Sequence, residues 1–229
     1  MSDAASKDPH FKGQSRVLKV CHWCAKKQEP GQKPFQACGR CKEVIYCSKE
    51  CQVASWPLHK VPCKMNASNG LAQNPEIAAS VATFKKWHSQ HLSALQQAII
   101  CALDLGNNPK ALDDNMLFVD VSLKPNHAEL PIKRKYTILG GFTVTMAEAR
   151  EMLGPMGGDA LLDSCKEASD HMKAKGAIGM GLILLKAHGM VDLVRVIMPS
   201  AAGAKTSQNG DDWGREEWPN ALRFAVEID

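Results

Sequence analysis

The segment that decides the fold of this chain is residues 21–63, which read CHWCAKKQEPGQKPFQACGRCKEVIYCSKECQVASWPLHKVPC. It contains seven of the nine cysteines, and these are grouped with one histidine into pairs. Cysteines separated by two residues reach one ion from a tight turn, and ligands separated by three residues lie one helical turn apart. The four pairs at these spacings are Cys21 and Cys24, Cys38 and Cys41, Cys47 and Cys51, and His59 and Cys63.

Eight ligands satisfy two tetrahedral zinc ions with none left over. The spacing alone allows two arrangements, because the pairs can be used in sequence, or the first can join the third and the second the fourth. His22 is left out of the ligand set, since choosing it would leave one thiolate unpaired. A catalytic zinc keeps one position open for water. The segment therefore predicts two structural zinc ions per chain and no catalytic residue.

A disulfide framework is the alternative for a cysteine-rich segment, and it needs an oxidising compartment. The N-terminal residues Met1–Ala5 contain no apolar signal stretch. No run of residues approaches 18 uninterrupted apolar positions, so we expect no membrane span. These observations predict thiolate ligation of metal in an intracellular protein of the nucleus or cytoplasm, not a secreted one.

The length of the segment explains why its ligands matter. Residues 21–63 are too few to bury a self-sufficient apolar core, so another source of free energy is needed. A structural zinc ion supplies about 10–16 kcal/mol of apparent binding energy, which is folding energy when the site is absent from the unfolded chain. We therefore expect the segment to fold only with metal bound.

A second pattern lies between the third pair and the last ligand. Its residues are Val44-Ile45-Tyr46-Cys47-Ser48-Lys49-Glu50-Cys51-Gln52, Trp56, His59-Lys60 and Cys63. This pattern resembles the MYND zinc finger, a family in which the ligands interleave. The resemblance implies two ligand sets: Cys21, Cys24, Cys47 and Cys51 for the first zinc, and Cys38, Cys41, His59 and Cys63 for the second. The gap between Cys24 and Cys38 is longer than expected for the family, which concerns the loop rather than the ligands.

The resemblance also implies a binding role for Gln52 and Trp56, which are four residues apart and share one helix face. Family members use the corresponding residues, beside an exposed strand like Val44–Tyr46, to hold an extended proline-containing peptide, often Pro-x-Leu-x-Pro. Strand addition supplies main-chain hydrogen bonds and the aromatic ring supplies a surface for proline. The alternative is that Trp56 is only the small hydrophobic centre of the finger. We expect protein partners with proline-containing motifs.

The charge of the chain is uneven and suggests a different partner. Residues 1–66 carry 12 Lys and Arg against 5 Asp and Glu, whereas residues 67–229 carry 16 against 19. A basic segment is typical of nucleic-acid binding. Seven thiolates and two zinc ions lower the charge of the basic part from +7 to +4, which weakens that interpretation. A nucleic-acid or chromatin-associated regulator remains the first alternative.

The second half predicts an α+β domain with a mostly antiparallel sheet. Its apolar periodicities and turn signals define the elements. The predicted elements are a helix at 80–103, strands at 117–123 and 136–144 with a bulge at Gly140-Gly141, a Thr145/Glu148 capping box opening a helix to Leu153, a helix at 159–175, a hairpin of 180–187 and 190–198, a flexible loop at 200–217, and a strand or short helix at 222–228. Cys101 and Cys165 are expected in the core.

No enzyme signature is recognised in residues 80–229. Several MYND proteins carry a SET methyltransferase domain, but its Asn-His-x-Cys stretch and terminal Cys-rich segment are absent. Trp87, His88 and His91 have no partner at ligand spacing, so they are interpreted as core residues. Asp120 and Asp163 are the acidic groups that a hidden active site would use, which is the second alternative. The main prediction is a protein that is not an enzyme.

The sequence thus predicts four segments: a disordered arm at 1–20, the finger at 21–63, a linker at 64–79 and the α+β domain at 80–229. The fold class is α+β, with a small cross-braced two-zinc finger preceding the larger domain. The predicted function is zinc-dependent recruitment of partner proteins.

Overall fold

The computed structural model describes residues 14–17, 19–24, 26–69, 75–156 and 158–228. Most of the predicted arm, residues 1–13 and 18, and part of the predicted linker, residues 70–74, lie outside these ranges. The chain divides into two compact units, Met1–Ser89 and Gln90–Asp229. Each unit is built around its own group of buried side chains.

The described residues of the first unit form a short hairpin and three helices. Its elements are α1 (Gln14–Val17), β1 (Gln36–Ala37), β2 (Ile45–Tyr46), α2 (Lys49–Asn69) and α3 (Pro75–Gln90), the last of which extends one residue beyond the unit. Within the predicted disordered arm, residues Gln14–Val17 are helical and Val20 forms an isolated bridge with Lys27. α2 continues to Asn69, into the stretch predicted as linker.

The second unit is an α+β fold built on one sheet. Its strands are β3 (Asn115–Leu123), β4 (Tyr136–Thr145), β5 (Met180–Ala187) and β6 (Met190–Ile197). Its helices are α4 (Leu92–Ala102), α5 (Ala111–Asp114), α6 (Met146–Leu153), α7 (Gly158–Lys173), α8 (Ala201–Gly210) and α9 (Trp218–Ile228). The strand order is β4-β3-β5-β6, with antiparallel outer pairs and a parallel β3–β5 pair in the centre. The predicted mostly antiparallel sheet is therefore confirmed.

Helices cover both faces of this sheet. On one face, Leu162 and Cys165 of α7 and Ala149 of α6 pack with the buried side chains Met116 and Leu184 of the strands. On the other face the backbone is approached closely: a Cβ on Gly141 would lie 2.5 Å from Trp218 of α9, and one on Gly181 would lie 2.7 Å from Ile99 of α4. Side chains alternate between the two faces along each strand, so both cores draw on the same strands.

Several local predictions are confirmed. Thr145 and Glu148 form the capping box that opens α6. β5 and β6 form a hairpin whose two turn residues, His188 and Gly189, both have positive φ, as a tight primed turn requires. The β3–β4 register shifts between Asp120 and Val121, which leaves one residue of β4 unpaired in the region of the predicted bulge. Cys101 and Cys165 are buried.

Two predictions in this half are wrong. Residues 200–217 were expected to be a flexible loop, but α8 forms because the Ser200 hydroxyl accepts from Gly203 N–H at 3.2 Å. Its Gln208 is buried, accepts from Gly106 N–H and donates to Asp104, each at 2.8 Å. The single helix expected over 80–103 is two helices, α3 and α4, divided at His91. The predicted strand or short helix at 222–228 is the helix α9.

Candidate metal centres and docking surface

The structure brings the eight predicted ligands into two groups of four. Within each group the sulfur and ring-nitrogen atoms lie within 4.8 Å of one another. The groups are Cys21, Cys24, Cys47 and Cys51, and Cys38, Cys41, His59 and Cys63. All nine cysteines lie in the described part of the chain and none is in a disulfide. The pairs therefore interleave in space, the first with the third and the second with the fourth.

The atom separations fit tetrahedral zinc. With Zn–S bonds of about 2.3 Å and Zn–N bonds of about 2.0–2.1 Å, a tetrahedron separates two sulfurs by about 3.8 Å and sulfur from nitrogen by about 3.6 Å. In the first group, Cys47 Sγ lies 3.6 Å from Cys24 Sγ and 3.5 Å from Cys51 Sγ. In the second, Cys38 Sγ lies 3.8 Å from Cys63 Sγ, and Cys41 Sγ lies 3.5 Å from His59 Nε2. The donor sets suit zinc, and the finger binds two zinc ions.

Local structure holds each pair in place. The knuckle at Cys21 is closed by its N–H, which donates to Lys26 O at 2.8 Å. The turn at Cys38–Cys41 closes the β1–β2 hairpin, and Lys42 adopts a positive φ of 58° directly after it. Ser48 Oγ accepts from Cys51 N–H at 3.3 Å at the start of α2, as an N-cap hydroxyl does. His59 and Cys63 then follow one turn apart on α2.

Burial of the second group explains why its thiols need a cation in order to ionise together. Burial raises the pKa of Cys41 to about 12, and repulsion from Cys38 and Cys63 adds to the effect. A cluster of thiolates in so small a volume is unfavourable unless a dication neutralises it. Zinc therefore binds by displacing protons from these sulfurs. The second group is buried at all four residues, whereas the first is more open, with Cys24 exposed.

The predicted docking residues lie on α2, beside the second group. Trp56 is 44% exposed, Val53 one turn before it is 65% exposed, and Gln52 is half-buried. The Trp56 ring makes an edge contact with the His59 ring, with centroids 6.2 Å apart. Tyr46 is the buried aromatic residue of the finger, at 1% exposure, and its hydroxyl lies 3.2 Å from Ser55 Oγ. The buried centre of the finger is thus occupied by Tyr46, and Trp56 faces solvent.

The strand expected to accept a peptide is not exposed. Val44, Ile45 and Tyr46 are all buried, at 5%, 7% and 1%. The outer backbone edge of β2 is also used at Ile45, whose N–H donates to Ser15 Oγ at 3.1 Å and whose carbonyl accepts from His22 N–H at 2.9 Å. Strand addition at Ile45, as the resemblance implied, is blocked by the chain itself.

The other residues considered as site candidates lie in ordinary structural settings. Trp87, His88 and His91 are buried, and Trp87 stacks on Phe84 with centroids 5.9 Å apart. Asp163 is exposed and pairs with Arg150 at 2.6 Å. Asp120 is half-buried on β3. No described helix of the protein is both long and apolar enough to cross a membrane.

Comparison with known proteins supports the finger and corrects one prediction. Residues 21–63 match the family model of the MYND finger. The chain is 29% identical over 139 residues to N-lysine methyltransferase SMYD2 of Rattus norvegicus and 30% identical over 139 residues to that of Mus musculus; each alignment covers 54% of this chain and 31% of the relative. It is 34% identical over 74 residues to the enzyme of Homo sapiens, covering 31% and 16%. No solved structure matches.

These relatives contradict the prediction that the chain is not an enzyme. They are named N-lysine methyltransferases, and the aligned region is longer than the finger. The matched region spans about a third of the length of these relatives. A methyltransferase activity is therefore a candidate for this chain, although the absence of the short SET stretches argued against it.

Proposed function

We propose that residues 21–63 are a zinc-supported docking module that recruits partner proteins through proline-containing peptides held at Gln52 and Trp56. MYND fingers are protein-interaction modules. The observation that carries the proposal is the half-exposed Trp56, which lies on the same helix as two ligands of a buried metal group. The ion fixes α2, and α2 presents the ring.

The zinc ligands in this proposal follow the two spatial groups. Cys21, Cys24, Cys47 and Cys51 bind the first ion, and Cys38, Cys41, His59 and Cys63 bind the second. Four protein ligands complete each tetrahedron, so both ions act as structural supports. Thiolates survive as ligands in a reducing compartment, and we place the protein inside the cell for that reason. The domain limits 21–63 and 80–229 are part of the same proposal.

The docking surface combines an aromatic ring with an amide. A proline ring packs against the exposed indole of Trp56, Val53 extends the apolar surface, and the Gln52 amide offers a donor and an acceptor to the peptide backbone.

β1 is a better candidate than β2 for main-chain pairing with the peptide. Cys38 N–H donates to Val44 O across the hairpin at 2.9 Å, so the neighbouring Ala37 directs its own N–H and carbonyl away from β2.

Trp56→Ala is expected to weaken binding of a Pro-x-Leu-x-Pro peptide by tenfold or more, because truncating a central aromatic anchor costs about 2 kcal/mol or more. Binding is measured by fluorescence anisotropy with a labelled peptide, and zinc content is measured in parallel. Ile77→Ala is the matched control, since Ile77 is 54% exposed on α3 of the same unit. Equal affinity of both variants, with two zinc ions retained in each, contradicts the role given to Trp56.

N-lysine methylation is a second candidate function, favoured by the similarity of more than half of this chain to N-lysine methyltransferases. The test incubates the full zinc-loaded chain with methyl-labelled S-adenosylmethionine and a lysine-rich protein mixture. Transfer of label to lysine side chains is the expected result. The controls are the boiled chain and the same mixture with its lysines acetylated. No label above the boiled control, under conditions where a known lysine methyltransferase labels the mixture, contradicts this candidate.

A further inference from the structure

β4 forms one edge of the four-stranded sheet and carries no charge. Its ten residues, Tyr136–Thr145, include neither a charged side chain nor a proline. Natural proteins protect exposed edges with charged residues, prolines or short strands, because an open edge is a template for another strand. The opposite edge, β6, follows that rule with Asp192 and Arg195. β4 therefore lacks the charges and prolines that protect edge strands, while α9 packs on the face of β4 at Gly141.

The hydrogen bond at the C-terminal end of β4 shows which of its residues direct their N–H and carbonyl groups away from β3. Thr145 N–H donates to the Glu148 carboxylate at 2.8 Å and so points away from β3. In an antiparallel ladder, every second residue directs its N–H and carbonyl away from the partner strand. Thr143 and Gly141 therefore face the open edge. At the far end, Thr137 Oγ1 donates to Glu227 of α9 at 2.6 Å, which places a carboxylate there.

An apolar surface adjoins this backbone. Phe142 is 56% exposed and stacks on the half-buried Phe118 of β3, its direct cross-strand partner, with ring centroids 4.9 Å apart. Leu139 on the same strand is 59% exposed. Exposed aromatic rings beside backbone donors that point away from the sheet are the combination that strand addition uses for affinity and for side-chain selection.

We propose that two copies of this chain pair through β4, antiparallel about a two-fold axis at Phe142. In this register Gly141 of one copy and Thr143 of the other donate a backbone hydrogen bond to each other. The two-fold axis generates a second, identical pair on the other side of Phe142. The two Phe142 side chains are directly opposite each other as a non-hydrogen-bonded pair, where side chains approach most closely. The rings of Phe118 and Phe142 from both copies then form one continuous aromatic row.

A second copy is the occupant that the charge pattern favours. β4 has no charge with which to select a charged peptide, whereas an uncharged strand meets no repulsion from its own image. A two-fold axis also limits the assembly to a dimer, because both copies use the same β4 edge and that edge is then occupied in each of them. Glu148 and Glu227 limit the pairing to the stretch between them, so a reversible, concentration-dependent dimer is expected.

The test is sedimentation velocity of the full zinc-loaded chain under reducing conditions over a concentration series. The wild type is expected to approach twice its monomer mass of 25.0 kDa. Phe142→Lys is expected to raise the dissociation constant by tenfold or more, because two like charges meet at the axis. Thr143→Pro removes an outward N–H and leaves the β3 ladder intact, as prolines in edge strands do, so it is expected to act in the same direction. Val191→Lys is the control, since Val191 is 50% exposed on β6.

Loss of the dimer in Phe142→Lys and Thr143→Pro, with Val191→Lys unchanged, supports the proposal. Circular dichroism checks that each variant is folded, and if one variant unfolds the other decides. A wild type that stays monomeric at every concentration overturns the proposal. So does a dimer that persists in the β4 variants, or one that is lost equally in the β6 control.

Discussion

Removal of both zinc ions is expected to unfold residues 21–63 and to leave the sheet of residues 90–229 folded. Each structural ion supplies about 10–16 kcal/mol of apparent binding energy, which is comparable to the whole stability of an ordinary domain, about 5–15 kcal/mol. The buried side chains of the finger are largely the ligands themselves, including Cys21, Cys38 and Cys63. Without metal, these sulfurs do not form an apolar core large enough to persist. Chelator titration followed by amide NMR and by a chromophoric zinc indicator measures both events.

A pair of cysteine variants gives the matched control. Cys63→Ser removes a fully buried ligand and is expected to lower the zinc content and disorder the finger. Cys165→Ser replaces a cysteine that is 3% exposed in the second unit, so it is expected to keep both ions. Retention of two zinc ions by Cys63→Ser, or dispersed finger resonances in chelator-treated protein, contradicts the assignment.

Ile183→Ala is expected to lower the free energy of unfolding of the second unit by about 2–5 kcal/mol. Ile183 is fully buried in β5, between Leu117 of β3 and Val194 of β6. Its truncation leaves a cavity in the middle of the sheet, where neighbours on two strands have little room to collapse. Urea denaturation followed by circular dichroism measures the change.

Val191→Ala is the control for this substitution, because surface changes usually stay within about 0.5 kcal/mol. Zinc content is followed in the same samples and is expected to be unchanged in both variants. A loss for Ile183→Ala no greater than that for Val191→Ala contradicts the position of the core. Release of zinc together with unfolding of the sheet in urea contradicts the independent folding of the finger.

The sequence predicts the parts of this protein that depend on short-range spacing. The pairs around Cys21 and Cys47 can be predicted because ligand chemistry restricts the number of residues between them. The Thr145 capping box and the His188-Gly189 turn can be predicted because few residue types satisfy those geometries. Contacts between distant residues are different. The block at Ile45 depends on Ser15, thirty positions earlier, and nothing in the local pattern of β2 reveals it.

Composition led to a wrong prediction in the segment that contains α8, where a buried side chain orders residues that were expected to be flexible. Residues 200–217 are small and polar, yet Gln208 is held by Asp104 and Gly106 from a hundred residues away, and this stabilises α8. The parallel pairing of β3 with β5 likewise depends on a connection through α6 and α7. The relation to N-lysine methyltransferases was missed because only the short SET stretches were considered, whereas the similarity is an alignment over 139 residues.

The unpaired residue in β4 has a consequence for how one strand serves both sides of the sheet. Val121 pairs with Ile138 and Asp120 pairs with Gly140, so the in–out phase of β4 inverts between them. Ile138 consequently points to the side of the sheet where α9 lies, while Val144 points to the side of α6 and α7. A strand of constant phase would put both on one side. The extra residue reverses which side of the sheet the alternate side chains of β4 face. Both the number of residues in this edge strand and their types therefore determine how it packs.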